Sequence, residues 1–192
     1  DSVEDALTYC LGQSPGRDPA LVEVFVRAAP AMARFVEDHS PLTFAACRIP
    51  DTFAESPGGR AQGRHIEPSP LALGDLGRPE DLVWPAPYPM VLTNEEIAEF
   101  DLAGGGAFPT DLVARRMAAG EVCMGLGLIV GLLHGCHAAG VALARGCRVT
   151  RLRRDPEGIR ALECRSGEAT HDIAVRRGVV LASGGFEWDA DL

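Results

Sequence analysis

Along residues 18–35 apolar side chains recur at Leu21, Phe25, Ala28, Met32 and Phe35. Spacings of four and three place them on one stripe of a helix, a stripe expected to face a core. Asp18-Pro19 supplies its start, with proline in the tolerated first position, and Pro30 should kink it. A shorter helix is expected ahead of it, opened by Ser2 as N-cap with Asp5 three residues on and running to about Leu11. After Pro41 the pattern changes. Leu42 to Cys47 reads as a strand, and then Pro50, Pro57, Gly58, Gly59, Gly63, Pro68 and Pro70 impose irregular loops. Loop also dominates residues 71–110, punctuated by Pro79, Pro85, Pro87, Pro89, Pro109 and Gly104-Gly105-Gly106, with one or two helical turns from Thr93. Thr110-Asp111 can open a further helix that ends at Gly120.

Val122 to Ala144 contains no Asp, Glu, Lys or Arg and is long enough to span a bilayer. His134 and His137 in its middle, five glycines and the lack of a flanking basic cluster favour a buried helix followed by a strand from Gly140. Cys147 to Arg153 continues as strand. Asp155-Pro156-Glu157-Gly158 then has the residues of a type I turn, Ile159 to Cys164 returns, and Ser166-Gly167 turns again into a third strand with Ile173 and Val175 on one side. The result is a β-meander. Val179, Val180, Leu181 and Ala182 follow as an apolar run without alternation, expected to be a central strand covered on both faces. It ends in Ser183, Gly184 and Gly185. Small residues there either turn the chain or let a ligand's phosphates and sugar approach the main chain. The fold class read from this pattern is mixed α/β, with helices packed on a mixed sheet and a β-meander. The chain divides into a helical, loop-rich segment, 1–120, and a segment of helix, meander and returning strand, 121–192.

With 46% hydrophobic and 23% charged residues, the 192-residue chain has the composition of one globular domain with a core. Its net charge of -9 argues against a nucleic-acid partner, because its 18 cations, all of them Arg, are scattered. Cys10, Cys47, Cys123, Cys136, Cys147 and Cys164 show no CxxC spacing, so reduced thiols and a cytoplasmic location are expected, and no signal peptide is evident. No metal site is expected: His134 and His137 share a helix face, but no second ligand pair is spaced to match. Ala103 to Ala107 lacks the preceding strand and the GK[ST] ending of a phosphate-binding loop, so it reads as plain loop.

Several ordered motifs carry a family resemblance. GVVLASGGFEWD, residues 178–189, resembles the GVVLATGGFE segment of the FAD-binding domain shared by fumarate reductase flavoproteins and 3-ketosteroid dehydrogenases. Pro50-Asp51-Thr52-Phe53, Pro57-Gly58-Gly59-Arg60, Gly63-Arg64, Glu67-Pro68 and Leu76-Gly77 resemble the PDYY, PGG, GR, xP and LG landmarks of the ketosteroid dehydrogenase group. Met124 to Leu133 resembles its GGxALxxxLL helix. The resemblance implies a Rossmann-like FAD-binding domain, with segment 1–120 as its helical insertion. It implies FAD as cofactor, held by the backbone near Val149 at the adenine ring and by Ala182, Ser183, Gly184 and Gly185 at the dinucleotide. Hydride transfer between a substrate carbon and flavin would follow, on a steroid-like or enone substrate.

Two departures qualify that expectation. The first Tyr of PDYY is an active-site phenol in the family, and here it is Thr52, whose hydroxyl is far less acidic; no catalytic residue is assigned. The strand, GxGxxG turn and helix that hold a pyrophosphate do not occur in this sequence: Gly125-Leu126-Gly127 is followed by Gly131, out of place. The expected protein is therefore the central part of an FAD-dependent oxidoreductase, inactive as this chain alone and prone to self-association through apolar edges. The alternative is a non-catalytic scaffold or interaction module of the same descent.

Overall fold

The computed structural model of the chain describes residues 2–62, 64–73 and 91–185. They form two compact units, Asp1–Val141 and Ala142–Leu192. Leu76-Gly77, Gly63 and Phe186 to Asp189 lie outside the described residues.

In the first unit, helix α1 (Val3–Gln13) begins where the Ser2 hydroxyl accepts a hydrogen bond from the Asp5 amide at 3.0 Å. Helix α2 (Pro19–His39) begins where the Asp18 carboxylate accepts from the Ala20 amide at 2.9 Å, and it continues through Pro30. Both starts follow from a short polar side chain satisfying an amide that has no partner within its helix. One expectation is overturned. Leu21, Phe25, Met32 and Phe35 are exposed, Phe25 by 70%. Periodicity marks a stripe that calls for cover, but it says nothing of what supplies the cover.

The strand expected within Leu42 to Cys47 is present, and the loops after it hold its partner and a further short ladder that the Pro and Gly content concealed. Strand β1 (Phe44–Ala46) pairs with β2 (Ile66–Pro68), and β3 (Leu71–Ala72) pairs with β4 (Glu121–Val122). Helix α3 (Asn94–Glu99), a 3-10 turn at Leu102–Gly104, helix α4 (Thr110–Ala119) and helix α5 (Met124–Ala138) complete the unit. At 15 residues α5 is shorter than a bilayer requires, and no helix among the described residues is long and apolar enough to cross a membrane. Its glycines instead let other chain segments come close. A β-carbon on Gly127 would lie 3.2 Å from the Val122 carbonyl, one on Gly131 would overlap Leu42, and one on Gly135 would meet the His39 carbonyl at 2.5 Å. Leu42, Cys47, Val91, Val122, Cys123 and Val130 are the buried apolar residues here.

The second unit is the expected meander. Strands β5 (Cys147–Asp155), β6 (Gly158–Ser166) and β7 (Ala169–Ala174) lie in sequence order, all antiparallel. The Asp155 carboxylate accepts from the amides of Glu157 (2.8 Å) and Gly158 (3.1 Å) and so closes the Pro156-Glu157 turn. Val149 opposes Cys164 and Cys164 opposes His171, so these three share a face with Leu162 and Ile173. Arg153 reaches Glu163 (2.7 Å) and Asp172 (3.2 Å) on the other face. One face is charged and the other is apolar.

Two strand expectations are corrected in this unit. Gly140 to Gly146 is not strand, and β5 starts at Cys147. Val179 to Ala182 is not a buried central strand, because no described strand pairs with it, and Val180 and Leu181 are 91% and 76% exposed. An extended apolar run becomes a strand only when a neighbour takes up its amides and carbonyls. Among the described residues every ladder is antiparallel, so the mixed sheet is replaced by three small antiparallel sheets beside five helices.

Candidate functional site

The ordered landmarks of the loop after β1 converge on one carboxylate. Asp51, with its side chain only 4% exposed, accepts at Oδ2 from the Arg60 amide (2.9 Å) and from Arg64 Nη1 (2.7 Å), while its own amide donates to the Arg60 carbonyl. His65 Nε2 lies 3.6 Å from Oδ1. Arg64 also donates to the Gly58 carbonyl at 2.7 Å and places its guanidinium 5.0 Å from the centre of the Tyr9 ring. From α1, Asp5 takes Arg60 at 3.0 Å and the Tyr9 hydroxyl accepts from the Phe53 amide at 3.3 Å. Gly58 is required at that junction, for its φ is +75° and a β-carbon would overlap the Asp5 carbonyl. A carboxylate engaged by this many donors anchors a loop and is poorly placed to act as a base. Thr52 and Phe53 stand exposed at the head of the anchored loop.

A second cluster holds α3. The buried Glu67 carboxylate accepts from the Asn94 amide (2.7 Å), Asn94 Nδ2 (2.9 Å) and the Glu95 amide (2.9 Å), an anion seated on a helix start. Glu95 returns to Arg48. Thr93 and Glu96 form a reciprocal capping box, and Arg116 grips Glu96 through two nitrogens (2.5 and 2.6 Å) while donating to the Val91 carbonyl at 2.8 Å. Burial works to raise the Glu96 carboxyl, but the bonds from Arg116 and Thr93 outweigh it and hold it below its ordinary value. That stabilisation is therefore present above the unfolded carboxyl value and is lost as pH falls through the lowered one. Acid unfolding of the Glu96→Gln variant, followed by circular dichroism below about pH 5, is expected to depend less on pH than that of the parent chain. Burial pushes the Cys123 thiol up to about 11, so it is protonated at neutral pH and is no nucleophile.

In the second unit, Val149 lies half exposed on the apolar face of the meander. Ala182, Ser183, Gly184 and Gly185 are all exposed, and no ladder joins them to β5 among the described residues. Gly184 has φ +85°, with no atom within 4 Å of where a β-carbon would sit. Backbone this open fits one wall of a site for a dinucleotide. The rest of such a site is not met: no described helix opens with a GxGxxG turn, and α5 opens with Met124 at φ 52°.

Sequence reasoning missed Tyr9 and the Arg116–Glu96 pair, since contacts across tens of residues leave no local signal. His134 Nδ1 is buried without a hydrogen-bond partner among the described residues. Among the described residues no group of three or more His, Cys, Asp or Glu is arranged to hold a metal.

Curated proteins and a solved structure are similar to this chain. A 3-oxosteroid 1-dehydrogenase of Mycobacterium tuberculosis is 31% identical, over 97% of this chain and 37% of the relative. That of Mycolicibacterium smegmatis is 30% identical, over 86% and 32%. The 4-oxocyclohexanecarboxylate 2-dehydrogenase of Sinomonas cyclohexanicum is 32% identical, over 100% and 34%. The chain thus spans about a third of the length of the curated relatives it matches. Its fold matches part of the 3-ketosteroid delta1-dehydrogenase of Sterolibacterium denitrificans, solved with 1,4-androstadiene-3,17-dione, at a TM-score of 0.84 and 23% identity, over 97% of this chain and 38% of that one. Matched over residues 1–190, the chain belongs to the FAD binding domain family.

Proposed function

We propose that this chain is the middle of an FAD-dependent oxidoreductase that moves a hydride between a substrate carbon and the flavin, with 3-oxosteroids or smaller cyclic ketones as the substrate class. The family membership and the names of the relatives support the cofactor and the substrate class. One observation carries the local reading: an exposed apolar run, Val180-Leu181, leads directly into the open backbone of Ser183, Gly184 and Gly185. An apolar run of this kind calls for a sheet neighbour, and the glycines after it leave room for a nucleotide. When bound, the flavin supplies the redox chemistry. The part of this chain is to bind and orient it, with Val149 against the adenine and Ala182 to Gly185 along the dinucleotide.

Without a GxGxxG helix start to hold the pyrophosphate, binding by this chain alone is expected to be weak, and catalysis absent. Titration of the purified chain into FAD, followed by flavin fluorescence, should show weak saturable quenching that is lost in Gly184→Val, whose side chain cannot adopt φ +85° without strain. Substrate-dependent bleaching of the flavin by this chain alone would overturn the inactive reading. No quenching at millimolar FAD would favour the second reading, a scaffold or interaction module. Thr52 in place of the family phenol and the bare apolar stripe of α2 speak for that module, and the same stripe would drive self-association.

A further inference from the structure

Three chemically active side chains meet on the apolar face of the meander. Cys147 opposes Ser166 at the start of β5, Cys164 opposes Val149 two positions earlier on β6, and His171 opposes Cys164 from β7. Cys147 and Cys164 are therefore diagonal neighbours, and His171 flanks them from the third strand. The Cys147 sulfur lies 3.8 Å from His171 Nε2, and Cys147 is partly open to solvent. Cys164 is fully buried.

We propose that Cys147 is a peroxide-oxidised modification site, with His171 as its proton acceptor and Cys164 as the resolving thiol that converts it to a disulfide. His171 takes the proton of Cys147, and the thiolate attacks one oxygen of hydrogen peroxide. The S–O bond forms as the O–O bond breaks, and the departing hydroxide takes the imidazolium proton and leaves as water. The sulfur of Cys164 then attacks the sulfur of the Cys147 sulfenic acid. An S–S bond replaces the S–O bond, and the hydroxyl leaves as a second water with the Cys164 proton. The two sulfurs together lose two electrons, which reduce the peroxide. Burial, and then the adjacent Cys147, push the Cys164 thiol up, so it reacts second, when His171, opposite it in the ladder, takes its proton and passes it to the departing hydroxyl.

Geometry favours a reversible bond. Diagonal neighbours lie about 7–8 Å apart, a little beyond the roughly 4.4–6.8 Å between the Cα atoms of a disulfide. The strands must shift slightly to close it. The ladder can give at Thr150, the extra residue of the bulge between Val149 and Arg151. A disulfide closed against such a shift is readily reduced again. The chemistry uses only the thiols, the imidazole and added peroxide, so its test needs no flavin and can fail or succeed whether or not FAD binds.

The experiment treats the purified chain with a small excess of hydrogen peroxide and maps its peptides without reduction, with exposed Cys136 as the internal control. A Cys147–Cys164 cross-linked peptide is expected, reversed by dithiothreitol, forming at least ten times faster than Cys136 is oxidised. Cys164→Ser should trap Cys147 as a sulfenic acid that dimedone captures. His171→Gln should slow the oxidation of Cys147 tenfold or more without changing that of Cys136. Oxidation of Cys147 no faster than that of Cys136, an unchanged rate in His171→Gln, or cross-links only between molecules would each overturn the proposal.

Discussion

Arg64→Met is expected to destabilise the first unit by roughly 3 kcal/mol. Asp51 is almost wholly withdrawn from water and Arg64 is 17% exposed, so removing the guanidinium leaves a buried carboxylate with, among the described residues, only the Arg60 amide and the more distant His65. An uncompensated buried charge is costly because water can no longer solvate it. The Gly58 carbonyl and the Tyr9 ring lose their contacts in the same change. The measurement is urea unfolding followed by circular dichroism, where a loss of this size is a large fraction of an ordinary stability of about 5–15 kcal/mol. The double variant Asp51→Leu, Arg64→Met should recover part of the loss, since it removes both charges. A single variant within about 0.5 kcal/mol of the parent chain, the usual spread of a surface change, would show that the pair is not the anchor described.

Gly131→Val is expected to cost roughly 2–3 kcal/mol by overpacking, whereas Gly125→Val on the same helix should stay within about 0.5 kcal/mol of the parent chain. Both glycines lie in α5, and propensity alone would make either substitution mildly favourable. They differ in surroundings. A β-carbon on Gly131 would run into the branch of Leu42, whose side chain is buried and has nowhere to turn, while nothing lies within 4 Å of the same atom on Gly125. Thermal unfolding of the two variants checks this. Leu42→Ala added to Gly131→Val should restore part of the loss by making room, an interaction that independent sites would not show.

The sequence was most legible where a structural cause lies within a few residues of its effect. Ser2 with Asp5, Asp18 with Pro19, Thr93 with Glu96, and Asp155 with Gly158 each state a helix start or turn locally, and each is found in place. The ordered landmarks from Pro50 to Pro68 were legible as a group, but not in their role. Only the fold brings Asp51, Gly58, Arg60 and Arg64 around one carboxylate against α1. The strand at β1 was legible, but β2 and β3 stay hidden because two or three residues carry too little pattern to oppose Pro and Gly. The stripe of α2 and the run Val179 to Ala182 were misjudged for a shared reason: apolar patterning records a need for cover, and the cover need not come from neighbouring sequence. For the candidate cofactor wall, Ser183 to Gly185 was legible as open backbone, whereas the missing pairing beside it was not.

The bonds that tie the Asp51 loop to α1 also set an order in time. Tyr9 meets Phe53 across 44 positions and Asp5 meets Arg60 across 55, so these contacts require a long stretch of chain to close first. Helices such as α1 and α2 arise from local contacts within microseconds, but the loop can lock only onto an α1 that already exists. It is thus among the last parts of the unit to become ordered during folding, and until then Thr52 and Phe53 have no fixed position from which to meet anything.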